Sequence, residues 1–109
     1  MTTTHTVFLT QDAMNDLEAI HDYIFVHDSP AKADYVVNKI EETFQTLSLF
    51  PERGGYPVEL LAVGIKEYRE TFFKPYRIIY RVLGDKVYVM LIVDGRRDLQ
   101  TLLLRRLLG

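Results

Sequence analysis

Two arginines on one short stretch are the residues best placed to do chemistry: KPYRIIYRV, residues 74–82. Its alternation reads as a strand, because successive side chains point to opposite faces. Tyr76, Ile78, Tyr80 and Val82 fall on one face, and Arg77, Ile79 and Arg81 on the other. The two arginine Cα atoms are then about 13 Å apart on a shared face. Guanidinium groups so placed must meet acid, phosphate or water. Five more arginines lie in the same C-terminal stretch: Arg69, Arg96, Arg97, Arg105 and Arg106. Arginine's planar fork suits bidentate contact with carboxylate and phosphate.

Other chemistry is weakly signalled. His5, His21 and His27 are the only histidines, with no HExxH-type spacing, so a metal site is not expected. Gly54-Gly55 lacks the lysine and hydroxyl residue of a phosphate-binding loop. Asp12, Asp16 and Asp22 read as a solvated helix face. The chain has no cysteine, which removes disulfides, thiolate metal sites and thiol nucleophiles, and no cofactor motif is evident. Its 109 residues, 48% hydrophobic, suit one domain spanning 1–109. No window approaches a membrane span or a secretory signal, and a cytoplasmic protein is expected.

The net charge of −2 conceals a split. Residues 1–64 carry three bases against ten acids, and residues 65–109 carry ten bases against five acids. Such an asymmetry points either to an anionic partner for the basic half or to internal pairing of acidic helices with a basic sheet.

The positioning elements follow from periodicity. Residues 4–10 form a short strand, with Thr10 as N-cap of a helix over 11–27 in which Ala13, Leu17, Ile20 and Ile24 repeat at three and four. Ser29 caps a second helix opened by Pro30; Ala33, Val36 or Val37, Ile40, Phe44 and Leu47 form its stripe, and Pro51 stops it. The short join makes the two helices an antiparallel hairpin. Residues 50–57 are a loop, followed by extended segments at 65–73, 76–83 and 86–94 with hairpin spacings. A last helix is capped by Asp98 and ended by Gly109. Its Leu99, Leu102, Leu103 and Leu107 can face the sheet, while Leu104 and Leu108 widen the stripe, so the tail either packs deeply or is covered by another chain. The expected class is α+β, a helical hairpin on one face of an antiparallel sheet. The tyrosine face of residues 76–82 meets the hairpin. The arginine face is left open as a binding surface, since nothing in residues 1–64 is evidently available to cover it.

The ordered run DLEAIHDYI, AKADYVVNKIEETFQTL, FPERG, KPYRIIYRV and VDGRRDLQTLLLRRLL resembles the RelE/ParE superfamily of bacterial toxins over nearly the whole chain. The DLxxIxxY spacing and the DLQTLLLRRLLG ending point to the ParE branch. The resemblance implies a toxin of a type II toxin–antitoxin pair, hetero-oligomeric with a small antitoxin whose acidic tail suits the basic half. ParE-like members poison DNA gyrase. RelE-like members cleave mRNA on the ribosome. Antitoxin contacts are then expected at Arg69, Arg77, Ile79 and Arg81, and target contacts at Arg96, Arg97, Arg105, Arg106 and Leu107.

On the RelE alternative Arg77 and Arg97 match catalytic arginines. The preceding lysines are replaced by Tyr68-Arg69-Glu70, Leu103 stands about where a tyrosine is expected, and Asp94 where some relatives carry histidine. Cleavage needs a base and an acid beside charge stabilisation. Neither is evident, although Tyr68, Tyr76 and Tyr88 are candidates. The acidic total also suits a ribosome ligand poorly. The gyrase reading is therefore preferred, and a non-toxic partner-binding relative is the third alternative.

Overall fold

The computed structural model describes residues 4–108, so the expected stop at Gly109 lies outside the described residues. Strand β1 (Thr6–Leu9) leads into α1 (Gln11–His27) and α2 (Pro30–Gln45), followed by a tight 3-10 turn (Thr46–Ser48). Short helix α3 (Val58–Leu61) precedes β2 (Arg69–Phe73), β3 (Tyr76–Leu83) and β4 (Lys86–Asp94). Helix α4 (Leu99–Leu103) runs into a wider π-type turn at Leu104–Leu108.

The caps form where the residue types demand. Thr10 Oγ1 accepts from the Ala13 amide at 3.1 Å, and Ser29 Oγ accepts from the Lys32 amide at 3.1 Å. Each satisfies an amide that the first helical turn leaves without a partner. Only Asp28 and Ser29 separate the helices, which forces the hairpin.

The sheet order is β1-β4-β3-β2. β2, β3 and β4 form an antiparallel meander, and β1 adds to β4 in parallel, so the sheet is mixed. A one-residue shift of register at Ile79/Tyr80 leaves Met90 as the extra residue of β4. Such a bulge reverses which way the following side chains point.

One core lies between sheet and hairpin. Val36, Ile40, Phe44 and Leu47 of the predicted stripe pack on Ile78, Tyr80, Val87 and Val89. Tyr76, Ile78, Tyr80 and Val82 all belong to this side, as their alternation required.

The opposite face departs from expectation. It carries a second core in which Ile79, Leu91 and Val93 are covered by Leu60 of α3 and by Leu99 and Leu103 of α4. Ile79 is wholly buried rather than exposed, and its cover comes in part from Leu60, within the first 64 residues. A four-residue helix has too few residues to display a periodicity, which is why α3 is invisible in sequence. Among the C-terminal leucines, Leu99 and Leu103 are buried, and Leu102, Leu104 and Leu107 are partly buried against the same cluster. β2 is also shorter than residues 65–73, because Ile65 and Tyr68 turn into this second core before the ladder begins.

Loop 50–57 is tied to the first core at Gly54, whose amide donates to the buried Tyr80 hydroxyl at 3.1 Å. A methyl on Gly54 would overlap the Glu70 carbonyl, a backbone group that cannot swing away. Gly54→Ala is therefore expected to destabilise the fold by about 1–3 kcal/mol, read as an earlier midpoint in urea denaturation.

Candidate functional site

The arginines divide into those already satisfied and those left free. Arg77 is satisfied. Its Nη1 and Nη2 donate to the two carboxylate oxygens of Glu59, each at 2.8 Å, and its Nε donates to Glu70 Oε1 at 2.7 Å. The side chain is only 12% exposed. A bidentate fork on one carboxylate and a third bond to another uses the planar geometry fully.

The two acids respond differently. Hydrogen bonding from Arg77 holds the Glu59 carboxyl below its ordinary value, whereas burial raises Glu70 despite Arg77. Burial disfavours the charged form, and a close cation favours it. Glu70 lies deeper than Glu59, so the two effects tip in opposite directions. The expectation that Arg77 stands open for an acidic tail is thus corrected: this chain's own acids occupy it.

Arg69 and Arg81 are placed differently. Arg69 donates to the Gly54 carbonyl at 2.8 Å and lies 4.8 Å from the Tyr56 ring centroid, which anchors the loop before α3. Arg81 sits over the Tyr68 ring at 5.8 Å, partly exposed, and has no acidic partner among the described residues. Of the four sheet residues expected to meet an antitoxin, Arg69 and Arg81 are partly exposed without an acidic partner among the described residues, and Arg81 is the one whose guanidinium makes no hydrogen bond there.

The C-terminal arginines separate in the same way. Arg96 Nε donates to Asp94 Oδ1 at 2.9 Å and its Nη2 to Asp94 Oδ2, holding that carboxyl below its usual range. Arg106 turns inward onto α1, with Nη1 and Nη2 at 3.2 and 3.0 Å from the Asp16 oxygens and Nε 3.5 Å from Asp12. Asp16 also accepts from the Ile92 amide at 3.1 Å, so one carboxylate ties α1, β4 and the last turn together. Leu107 is partly buried against the second core. Arg97 and Arg105 are exposed, with no side-chain partner among the described residues.

Two clefts that share Tyr23, Ile24 and Tyr76 meet between α1 and the sheet. One, of about 370 Å³, lies beside the α1–α2 turn and reaches Lys32 and Lys74. The other, of about 450 Å³, reaches Arg96 and Arg97. Sequence reasoning missed this groove. It also missed Glu59 and Glu70 as the partners of Arg77. Glu70 was within reach of a register argument, because Arg77 lies opposite Phe72 and Glu70 is the diagonal neighbour on the same face. Glu59 arrives from α3, and no spacing announces it.

Among the described residues no group of three or more His, Cys, Asp or Glu is gathered for a metal ion, and no helix is long and apolar enough to cross a membrane. The arrangement offers charge recognition. Arg77, one of the two arginines matched to RNA cleavage, is neutralised at its own site.

The chain is similar to known proteins over most of its length. The family model for the ParE toxin of the type II toxin–antitoxin system, parDE, matches residues 7–99. Toxin ParE3 of Caulobacter vibrioides is 29% identical over 93 residues, covering 85% of this chain and 89% of that protein. A solved chain of the chromosomal ParDE system from P. aeruginosa superposes with a TM-score of 0.70 at 23% identity, covering 84% of this chain and 97% of that one. A chain of the RelBE2 toxin–antitoxin complex from Mycobacterium tuberculosis superposes with a TM-score of 0.55 at 22% identity, covering 84% and 98%. At these identities the two structures speak for the fold alone. The family match spans every element from β1 to the start of α4, and on that match the chain belongs to the ParE toxin family of type II toxin–antitoxin systems.

Proposed function

We propose that this chain is the toxin of its pair, inhibiting DNA gyrase in the cytoplasm by binding rather than by bond-breaking of its own, and neutralised by a cognate antitoxin. The observation that carries this reading is the closed Arg77 ion cluster. An arginine held by two carboxylates at 2.7–2.8 Å adds little net positive charge to a developing phosphorane. Arg97 would then stand without its matched partner, which weighs against the mRNA-cleaving alternative. Binding remains well supplied, since Arg97 and Arg105 present uncommitted guanidinium groups. A binding inhibitor acts through differential affinity for one state of its target. Here that state is the cleaved-DNA intermediate, held after the gyrase tyrosine has broken the strand.

Purified toxin added to gyrase, ATP and relaxed plasmid is expected to suppress supercoiling and to accumulate cleaved plasmid. In cells, DNA synthesis is expected to fall before protein synthesis in pulse labelling after induction. Unimpaired supercoiling together with an early stop in translation would overturn the assignment in favour of the ribosome. For neutralisation, Arg81 is the sheet residue we assign to the antitoxin. Arg69 is the secondary contact there, and Arg77 and Ile79 are withdrawn as direct contacts because both are already covered.

A further inference from the structure

β1 ends at Leu9, while β4 continues to Asp94. From Gln11 the chain turns into α1, so the edge of β4 beyond Met90 has no strand beside it. Asp16, expected on a solvated helix face, fills that place: its Oδ2 accepts from the Ile92 amide at 3.1 Å. The same carboxylate receives the Arg106 fork, with Nη1 3.2 Å from Oδ1 and Nη2 3.0 Å from Oδ2. The Asp16 and Arg106 side chains are only 18% and 22% exposed. Asp12, 3.5 Å from Arg106 Nε, is 64% exposed, so water screens that pair far more. Asp16 is the principal anchor.

The anchor matters because the tail cannot hold itself. α4 has five residues and the π-type turn after it five more, too few for a helix to persist by its own hydrogen bonds. Leu99 and Leu103, buried in the second core, hold its start. The Asp16–Arg106 pair holds its end. Successive side chains on a helical turn diverge by about 100°. With Arg106 drawn inward onto α1, Arg105 is directed outward, and it is exposed with no acidic partner among the described residues.

We infer that Asp16 is a positioning residue for target recognition: through Arg106 it fixes the last turn, and so the direction in which Arg105 meets the target. The inference rests on the reading of Arg105 as a target contact. A restraint already present in the free chain lowers the ordering cost of binding. Arg106 then serves recognition from inside the fold and not as a contact. Arg97 lies outside this restraint, because its place comes from the turn at Asp94, whose carbonyl accepts from the Arg97 amide at 3.2 Å.

Asp16→Asn separates the two duties of this side chain. Its amide oxygen still accepts from Ile92, while the charge facing Arg106 is gone. Trypsin is expected to cut after Arg105 or Arg106 several-fold faster in this variant, with an unchanged circular dichroism spectrum and melting far above the assay temperature. The half-inhibitory concentration for supercoiling should rise roughly tenfold, the penalty of ordering the freed turn on binding. The same rise should recur in an Arg97→Ala background. In an Arg105→Ala background it should vanish to within about twofold, because residues acting through one contact are not additive.

Equal tryptic protection of the tail in Asp16→Asn and the unaltered chain would overturn the inference. So would an equal rise in the Arg97→Ala and Arg105→Ala backgrounds, the pattern of a purely structural role. The proposed target fails separately. An unaltered chain that arrests growth but leaves supercoiling untouched refutes gyrase, and the same set of variants is then read as growth inhibition in cells. Non-additivity of Asp16→Asn with Arg105→Ala there sustains the positioning role, and additivity ends it.

Discussion

Reversing Arg97 and Arg105 to glutamate together is expected to abolish inhibition of supercoiling, raising the half-inhibitory concentration at least ~100-fold. The magnitude follows from arginine's place among interface hot spots, where one truncation costs about 2 kcal/mol or more, roughly thirtyfold in affinity. Reversal adds repulsion to that loss. Both side chains are exposed and lack acidic partners among the described residues, so their reversal leaves no buried charge behind and the fold should survive. Arg96 provides the contrast. Its guanidinium is engaged by Asp94 within the same turn, and Arg96→Ala alone is expected to change inhibition less than threefold. Equal inhibition by Arg97→Glu/Arg105→Glu and the unaltered chain in the supercoiling assay would remove the C-terminal arginines from the target interface.

The second large effect is on stability. Arg77→Ala strands Glu59 of α3 and Glu70 of β2 without their cation. Breaking a buried pair by removing one partner costs about 3–5 kcal/mol, a large part of the roughly 5–15 kcal/mol that holds a domain of this size. A fall in melting temperature of at least ~12 °C is expected. The deficit should also depend on pH.

In the unaltered chain the two acids pull in opposite directions. Glu59, depressed by Arg77, contributes stability that is present above its unfolded pKa and lost as pH falls through its lower folded value. Glu70, raised by burial, does the reverse: the folded state holds its proton more tightly, so stability declines as pH rises from the ordinary carboxylate range through the raised value. Without Arg77 both carboxyls are raised, since burial remains and each repels the other. The variant's deficit should therefore shrink as pH falls through the carboxylate range. Thermal melts at neutral and mildly acidic pH check this directly. A deficit independent of pH would mean that the ion cluster is not the origin of the loss.

Much of the fold was legible because it depends on short-range signals. Thr10 and Ser29 begin helices through their hydroxyls, Pro30 suits the first helical turn, and the stripe from Ala33 to Leu47 has the helical period. The alternation of residues 76–82 assigned each side chain to its face of β3 correctly. Parallel addition of β1 to β4 was not legible. It is decided by where the helical hairpin returns the chain, and β1 shows only a four-residue alternation. The Met90 bulge is likewise a property of the pairing and not of a local run.

The site was legible by residue type and not by availability. The sequence by itself determined that seven arginines gather in the last 41 residues, on two extended segments, a turn and a terminal helix. It also carried the two readings of the charge split, an anionic partner or internal pairing. Tertiary structure decided which arginines pair internally and which are left without an acidic partner. Arg77 is closed by Glu59 and Glu70, and Arg106 by Asp16 and Asp12. Arg96 is closed by its neighbour Asp94, Arg69 is tied to the Gly54 carbonyl without an acid, and Arg81, Arg97 and Arg105 remain open. The physical reason is that ion pairing depends on distances of about 3 Å between groups up to 90 residues apart in sequence. Periodicity reports which face a side chain takes, and only the folded chain brings a partner to that face or leaves it bare.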